Sequence, residues 1–251
     1  IVHNSSPKGW RKVFGTNASG QSRYGSENPT SRRSTSSGGG RDKLGFQALP
    51  EDGERFPAAL AVRSFLRERI VFANIEPENM RKSGSIDGSL MSGNGTGFLR
   101  GLHHLATRNQ EHFDEWLAHV QEAMPKIDAL KIIQGEAEAE LLVTLKGGFE
   151  LSIHQLSDGE LRVMGMALLP YQLPSGGLLC IESPERGLHP TVIESVSQML
   201  NRGGRVQVIV TTQCPNWIGC TPIERIRLFQ RSATRSPRLA YAVSTQAPAD
   251  Q

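Results

Sequence analysis

Between Glu160 and Thr211 the chain alternates helical and strand-like segments in a way that few folds accommodate. A helix is expected from Glu160 to about Leu169, a strand over Gly177–Glu182, a helix over Thr191–Leu200 and a strand over Val206–Thr211. Both strands are short continuous apolar runs rather than alternating ones, the pattern of strands buried on both faces. Apolar strands separated by helices imply a parallel sheet covered on both sides, hence an α/β fold. In such sheets ligands collect beyond the carboxyl ends of the strands. The residues at those ends are Glu182 and Ser183 after one strand, and Thr211, Thr212 and Gln213 after the other.

Before this core the periodicity is different. Ala59–Arg69 reads as a short helix and Ile70–Ile75 as a strand. Phe98, Leu99, Leu102 and Leu105 recur at helical spacing, as do Phe113, Trp116, Leu117, Val120 and Met124, until Pro125 ends the run. These stripes are read as core packing. Ile127–Ile133, Glu140–Leu145 and Phe149–Ile153 are expected strands, the last two joined across Gly147-Gly148. Arg225–Phe229 and Arg238–Val243 are expected to form a terminal hairpin.

Pro7 to Gly45 is rich in Ser, Gly and Arg, with STSSGGG at Ser34–Gly40, and buries too little apolar surface to offset ordering. It is read as a flexible insertion, with the domain boundary at residues 55/56. Its arginines (Arg23, Arg32, Arg33, Arg41) have phosphate-binding chemistry, but they are read as a solvated basic loop. The stretch Gly93-Asn94-Gly95-Thr96-Gly97 has the glycines of a phosphate loop but lacks its Lys-Ser/Thr pair, and is read as a loop leading into a helix.

Bulk properties exclude little. The 251 residues carry a formal charge of +3, which permits contact with nucleic acid without requiring it. The three cysteines lack the short paired spacing of a zinc site and suit reduced thiols. No apolar stretch approaches the roughly 20 residues of a membrane span, and a cytoplasmic protein is expected.

Four blocks carry the chemistry. Leu156-Ser157-Asp158-Gly159-Glu160 opens a helix whose exposed N–H groups form an anion site, although Ser157 and Glu160 also make a plain capping box. Leu178 to Ser183 reads LLCIES and delivers the Glu182 carboxylate to the strand end, where it can hold Mg²⁺ beside phosphates. Gly187-Leu188-His189-Pro190 follows, and then Thr211-Thr212-Gln213-Cys214-Pro215.

In this order the blocks resemble the signature, Walker B, D-loop and switch motifs of an ABC-type ATPase head. The resemblance is strongest to the predicted ATPases related to RecF, SMC proteins and OLD nucleases, and it spans roughly the last 160 residues. It implies a P-loop NTPase fold and ATP with Mg²⁺ as ligands. It also implies a homo- or hetero-dimer closed around nucleotide, in which Ser157, Asp158 and Gly159 cap the partner's ATP. Glu182 would then orient Mg²⁺, while Leu188 and His189 would line the seam. The resemblance further allows a nuclease or effector partner and DNA, in repair or anti-phage defence.

Three departures qualify it. The phosphate loop is absent from this stretch and is expected upstream of Ile1, itself read as the inside of a strand. Ser183 stands where the family has a catalytic Glu, and Gln213 where it has His. Glu185 lies close in sequence but follows Pro184, which is expected to direct it away. Loss of a positioned acid/base group typically costs about 10² to 10⁴ in rate. Slow hydrolysis is therefore expected, with a catalytically inactive scaffold as the alternative. A DNA-binding role for residues 15–45 is a third.

Overall fold

The computed structural model describes residues 2–3, 11–12, 14–17, 21–27, 34–38, 47–82, 90–134, 139–202, 205–230 and 238–241. Backbone contacts divide the chain into two units, Ile1–Ile70 and Val71–Gln251.

In the first unit, β1 (Val2–His3) pairs antiparallel with β2 (Arg11–Lys12). The strands β3 (Phe14–Thr16), β4 (Gln21–Gly25) and β5 (Ser34–Gly38) form an antiparallel sheet in that order. These strands occupy part of the stretch whose composition suggested a flexible insertion. Ser22 and Tyr24 are buried while their neighbours in β4 are not, so alternation gives the sheet one packed face. Tyr24 meets Phe56 edge to face at 6.3 Å, and Leu49, Ala59 and Leu60 complete a small core.

Helix α1 (Pro57–Glu68) begins one residue after Phe56, which offers no side-chain cap. Its exposed N–H groups are satisfied from a distance. The two carboxylate oxygens of Glu27 accept from Ala58 and Ala59, each at 2.8 Å.

The second unit is built round a parallel pair. β10 (Leu178–Glu182) lies beside β11 (Gln207–Thr211) with Glu182 opposite Thr211. On the other side of β10 runs β6 (Ile70–Ala73). Leu179 and Ile181 are buried in the main core.

Cover on both faces, as the apolar runs suggested, is not found among the described residues. Phe72 is 78% exposed, Ile209 is 46% exposed, and β11 has no buried residue. Continuous apolarity thus overstates burial for β11, which has one neighbouring strand among the described residues.

The helices of this unit supply most of the core that Leu179 and Ile181 join. α2 (Pro77–Arg81) is short. α3 (Phe98–Arg108) and α4 (Gln110–Ala123) are separated by Asn109 alone. Its N–H closes the last turn of α3, and its side chain accepts from His112 N to cap α4.

α5 (Asp158–Gln172) is central, with every residue from Val163 to Pro170 buried. It runs past the expected end at Leu169 and includes Pro170, whose missing N–H removes only one bond near the last turn. Trp116, fully buried on α4, donates its indole N–H to Met164 O of α5 at 3.3 Å. α6 (Pro190–Arg202) and α7 (Pro215–Gly219) follow the two parallel strands.

A separate antiparallel sheet joins β7 (Ile127–Gln134), β8 (Ala139–Leu145) and β9 (Glu150–Ser152). Gly147 and Gly148, at φ +105° and +84°, take the turn between the last two as expected. A 3₁₀ turn over Ile153–Gln155 replaces the end of the expected third strand. β12 (Arg227–Gln230) and β13 (Arg238–Tyr241) form the antiparallel terminal pair.

Candidate nucleotide-binding site

Glu182 ends β10 with its side chain exposed. The chain then turns sharply. Ser183 is the single non-glycine residue with positive φ among the described residues, at +47°. Its N–H continues the parallel ladder to Thr211 O at 2.7 Å, and its carbonyl accepts from Arg186 N. The left-handed conformation disfavours side chains with a Cβ by about 1–2 kcal/mol, so strain is held at the strand end.

Glu182 and Ser183 line a small cleft with Asn74, Arg162, Met166 and Arg186. Asn74 follows β6, so two adjacent strands deliver polar groups to one edge. Its position directly after an apolar strand was the available sequence signal.

The start of α5 stands close by. Ser157 is the N-cap and forms a reciprocal box with Glu160. Ser157 N–H donates to the Glu160 carboxylate at 2.8 Å, and Glu160 N–H donates to Ser157 Oγ at 3.3 Å. Lys126 adds an ion pair to Glu160 at 2.5 Å. Burial raises the Glu160 pKa, but the Lys126 ammonium and the two Ser157 bonds outweigh it and hold the carboxyl below its ordinary value.

Asp158 is exposed and accepts from Arg81 at 2.7 Å; the same guanidinium donates to Leu156 O at 2.9 Å. Arg81 thus fixes the approach to the helix, an anchor 77 residues from Asp158 that the motif did not reveal.

Gly159 explains itself by contact. A Cβ there would lie 2.9 Å from Gly187 O, so the first turn of α5 rests on the backbone of the loop after β10. Gly187 is left-handed at φ +75°, with the Arg162 side chain across it at 3.3 Å from where its Cβ would be. Arg162 also donates to Ile75 O at 2.6 Å. The signature and D-loop blocks are therefore neighbours within one chain.

Leu188 is half-buried against the main core, and His189 is exposed. The His189 ring accepts Thr191 N–H at 3.3 Å through Nδ1, so it caps the start of α6.

At the end of β11, Gln213 is exposed between two held neighbours. The Thr212 hydroxyl donates to Glu185 at 2.9 Å and accepts from Cys214 N–H at 3.0 Å. Proline 184 does not remove Glu185 from the site, because its carboxylate turns back onto Thr212. Cys214 precedes α7, anchored by buried Trp217. All three cysteines are free, and burial pushes the Cys180 thiol above its ordinary pKa, which leaves it a poor nucleophile.

Glu182 suits a magnesium ion. That ion keeps several waters and needs only one or two carboxylates beside phosphate oxygens. No cluster of three or more His, Cys, Asp or Glu that could hold a metal ion occurs among the described residues. No described helix is long and apolar enough to cross a membrane.

Residues 98–216, a little under half of the chain, match the family model described as "AAA domain, putative AbiEii toxin, Type IV TA system". Comparison with curated proteins gives no match. Among solved structures, an SMC head bound to the C-winged helix domain of ScpA aligns over 88% of this chain and 66% of its own, at 13% identity and TM-score 0.50. A structure from work on ATP-driven dimerization and DNA stimulated activation of SMC ATPases aligns over 57% and 86%, at 15% identity and TM-score 0.44. The Smc head of Pyrococcus furiosus bound to the C-terminal domain of ScpA aligns over 55% and 36%, at 12% identity and TM-score 0.42.

The chain shares its α/β fold with the SMC head, and residues 98–216 resemble the AAA domain of the family model.

Proposed function

We propose that this chain supplies the signature, Walker B, D-loop and switch elements of an ATP-binding head that closes as a dimer around ATP and Mg²⁺ and hydrolyses ATP slowly. The observation that carries the reading is the contact of Gly159 with Gly187 O. It sets the exposed helix start at Ser157 and Asp158 beside the Gly187–His189 loop, giving one surface on which a partner's nucleotide could be capped. The helix N-terminus offers N–H donors and a positive dipole end to phosphate. Glu182 is the carboxylate suited to orient the magnesium ion, which when bound neutralises phosphate charge.

Slow turnover follows from Ser183 and Gln213. A serine hydroxyl is not a general base near neutral pH, and glutamine donates a hydrogen bond without carrying charge. The same two residues favour a second reading, a scaffold subunit without catalysis. DNA repair or phage defence, with a nuclease or effector as partner, is the biological setting we infer from the resemblance, and a cytoplasmic location goes with it.

The test is ATP turnover and ATP-dependent association of the full-length protein, with and without DNA, beside Glu182→Gln and Ser183→Glu. Turnover that disappears in Glu182→Gln supports a working ATPase. Association with ATP but no turnover, with activity gained in Ser183→Glu, supports an ATP-gated clamp. Neither binding nor turnover in any version leaves the scaffold.

A further inference from the structure

The loop after β10 and the loop after β11 are tied twice. The first tie is main chain, from Ser183 N–H to Thr211 O at 2.7 Å. The second is between side chains, from the Thr212 hydroxyl to the Glu185 carboxylate at 2.9 Å, across 27 residues of sequence. Both Glu185 and Thr212 are half-buried, which protects the bond from competing water.

Each end of this bond is committed in a second direction. Thr212 Oγ1 also accepts Cys214 N–H, so the residues on either side of Gln213 are fixed by one hydroxyl. Glu185 accepts Leu188 N–H on its carbonyl at 3.0 Å, and thereby closes the turn that leads to Leu188 and His189.

The geometry points to Glu185 as a positioning residue: through Thr212 it clamps the switch loop, and so the exposed Gln213, in fixed relation to Glu182 and to the Gly187–His189 turn. The assignment rests on the ATPase reading for its consequence but not for its structural content. A carboxylate engaged by Thr212 is an acceptor already in use, which distinguishes this role from that of a free general base. Glutamine retains an acceptor oxygen and can replace it; alanine cannot.

The test uses the full-length protein with Glu185→Gln, Glu185→Ala, Thr212→Val and the Glu185→Ala/Thr212→Val double variant. Two readouts are taken, amide hydrogen exchange over residues 211–216 and the kcat and KM for ATP. Glu185→Ala and Thr212→Val should each speed exchange at Cys214 by about tenfold, the effect of losing one hydrogen bond to a charged group. Thr212→Val also removes the acceptor of Cys214 N–H, so it should speed exchange at least as much as Glu185→Ala, and the double variant should go no further than Thr212→Val alone. Glu185→Gln should exchange like the wild type. In turnover, kcat should fall about tenfold in Glu185→Ala and Thr212→Val with KM for ATP nearly unchanged, and Glu185→Gln should restore most of it.

Unchanged exchange in both single variants overturns the clamp. So does a Glu185→Gln variant as inactive as Glu185→Ala while Thr212→Val stays active, since that pattern makes Glu185 the base. A wild type without ATP turnover sinks the ATPase reading instead. The exchange data then decide the clamp on their own, with wild-type rates in Glu185→Gln supporting it.

Discussion

Ser157 invites two explanations that a pair of substitutions can separate: a helix cap, or a cap that also touches phosphate. Its Oγ accepts Glu160 N–H at 3.3 Å, a long bond, and donates to the Glu160 carboxylate at 2.8 Å. Truncating an N-cap costs about 0.5–2 kcal/mol. The long bond places Ser157→Ala near 1 kcal/mol, since Glu160 keeps Lys126 and the Ser157 N–H. For a chain of this size that lowers Tm by about 2–4 °C.

Asn is a strong N-cap that can also donate to Glu160, so it should hold Tm close to the wild type, whereas Asp sets a second carboxylate against Glu160 and should melt lower. Their charges differ. At an effective dielectric constant of about 20, two unit charges 4 Å apart repel by about 4 kcal/mol. Allowing for water and salt, Ser157→Asp should weaken ATP-dependent association of the full-length protein by at least about 100-fold, and Ser157→Asn far less. Differential scanning fluorimetry and analytical ultracentrifugation with and without ATP give the two numbers. A folded Ser157→Asp protein that associates with ATP like the wild type would refute the phosphate-capping role and leave a structural cap.

Gly159→Ala gains up to about 1 kcal/mol of helix propensity but forces its Cβ against Gly187 O, 2.9 Å away. Overpacking costs about 1–3 kcal/mol, so Tm should fall by a few degrees and amide exchange over residues 186–190 should rise; unchanged exchange would contradict the contact. The lowered pKa of Glu160 sets a pH dependence of definite sign. A folded-state value below the unfolded one contributes stability that is present above the ordinary value of 4.5 and lost as pH falls through the folded value. The Tm difference between wild type and Glu160→Gln should therefore be constant near neutral pH and shrink below about pH 4.5; a gap that widens on acidification would reverse the argument. At Ser183, glycine relieves the left-handed strain but loses about as much through the unfolded chain, so Ser183→Gly should change stability by less than about 1 kcal/mol. Ser183→Val should cost at least about 1 kcal/mol in urea unfolding, and equal midpoints for the two would rule out the positive φ.

What the sequence by itself determined was whatever depends on neighbours within a few residues. Helix α5 starts at Ser157 because Ser157 and Glu160 cap each other three residues apart. The two glycines after Leu145 mark the turn between β8 and β9. The order of the four motifs was legible for the same reason, since each is a short run tied to one strand or helix end. Burial was legible only as an average, and the apolar run of β11 promised more cover than the described residues give.

The tertiary structure alone decided which distant groups meet. Glu27 caps α1 from 31 residues away. Arg81 holds Asp158, Gly187 receives Gly159, and Glu185 turns back onto Thr212. None of these pairs has a period or spacing that announces it, because a hydrogen bond or a backbone contact is fixed by where the packed elements bring two atoms. The chemistry of each residue is local; its partner follows from the packing.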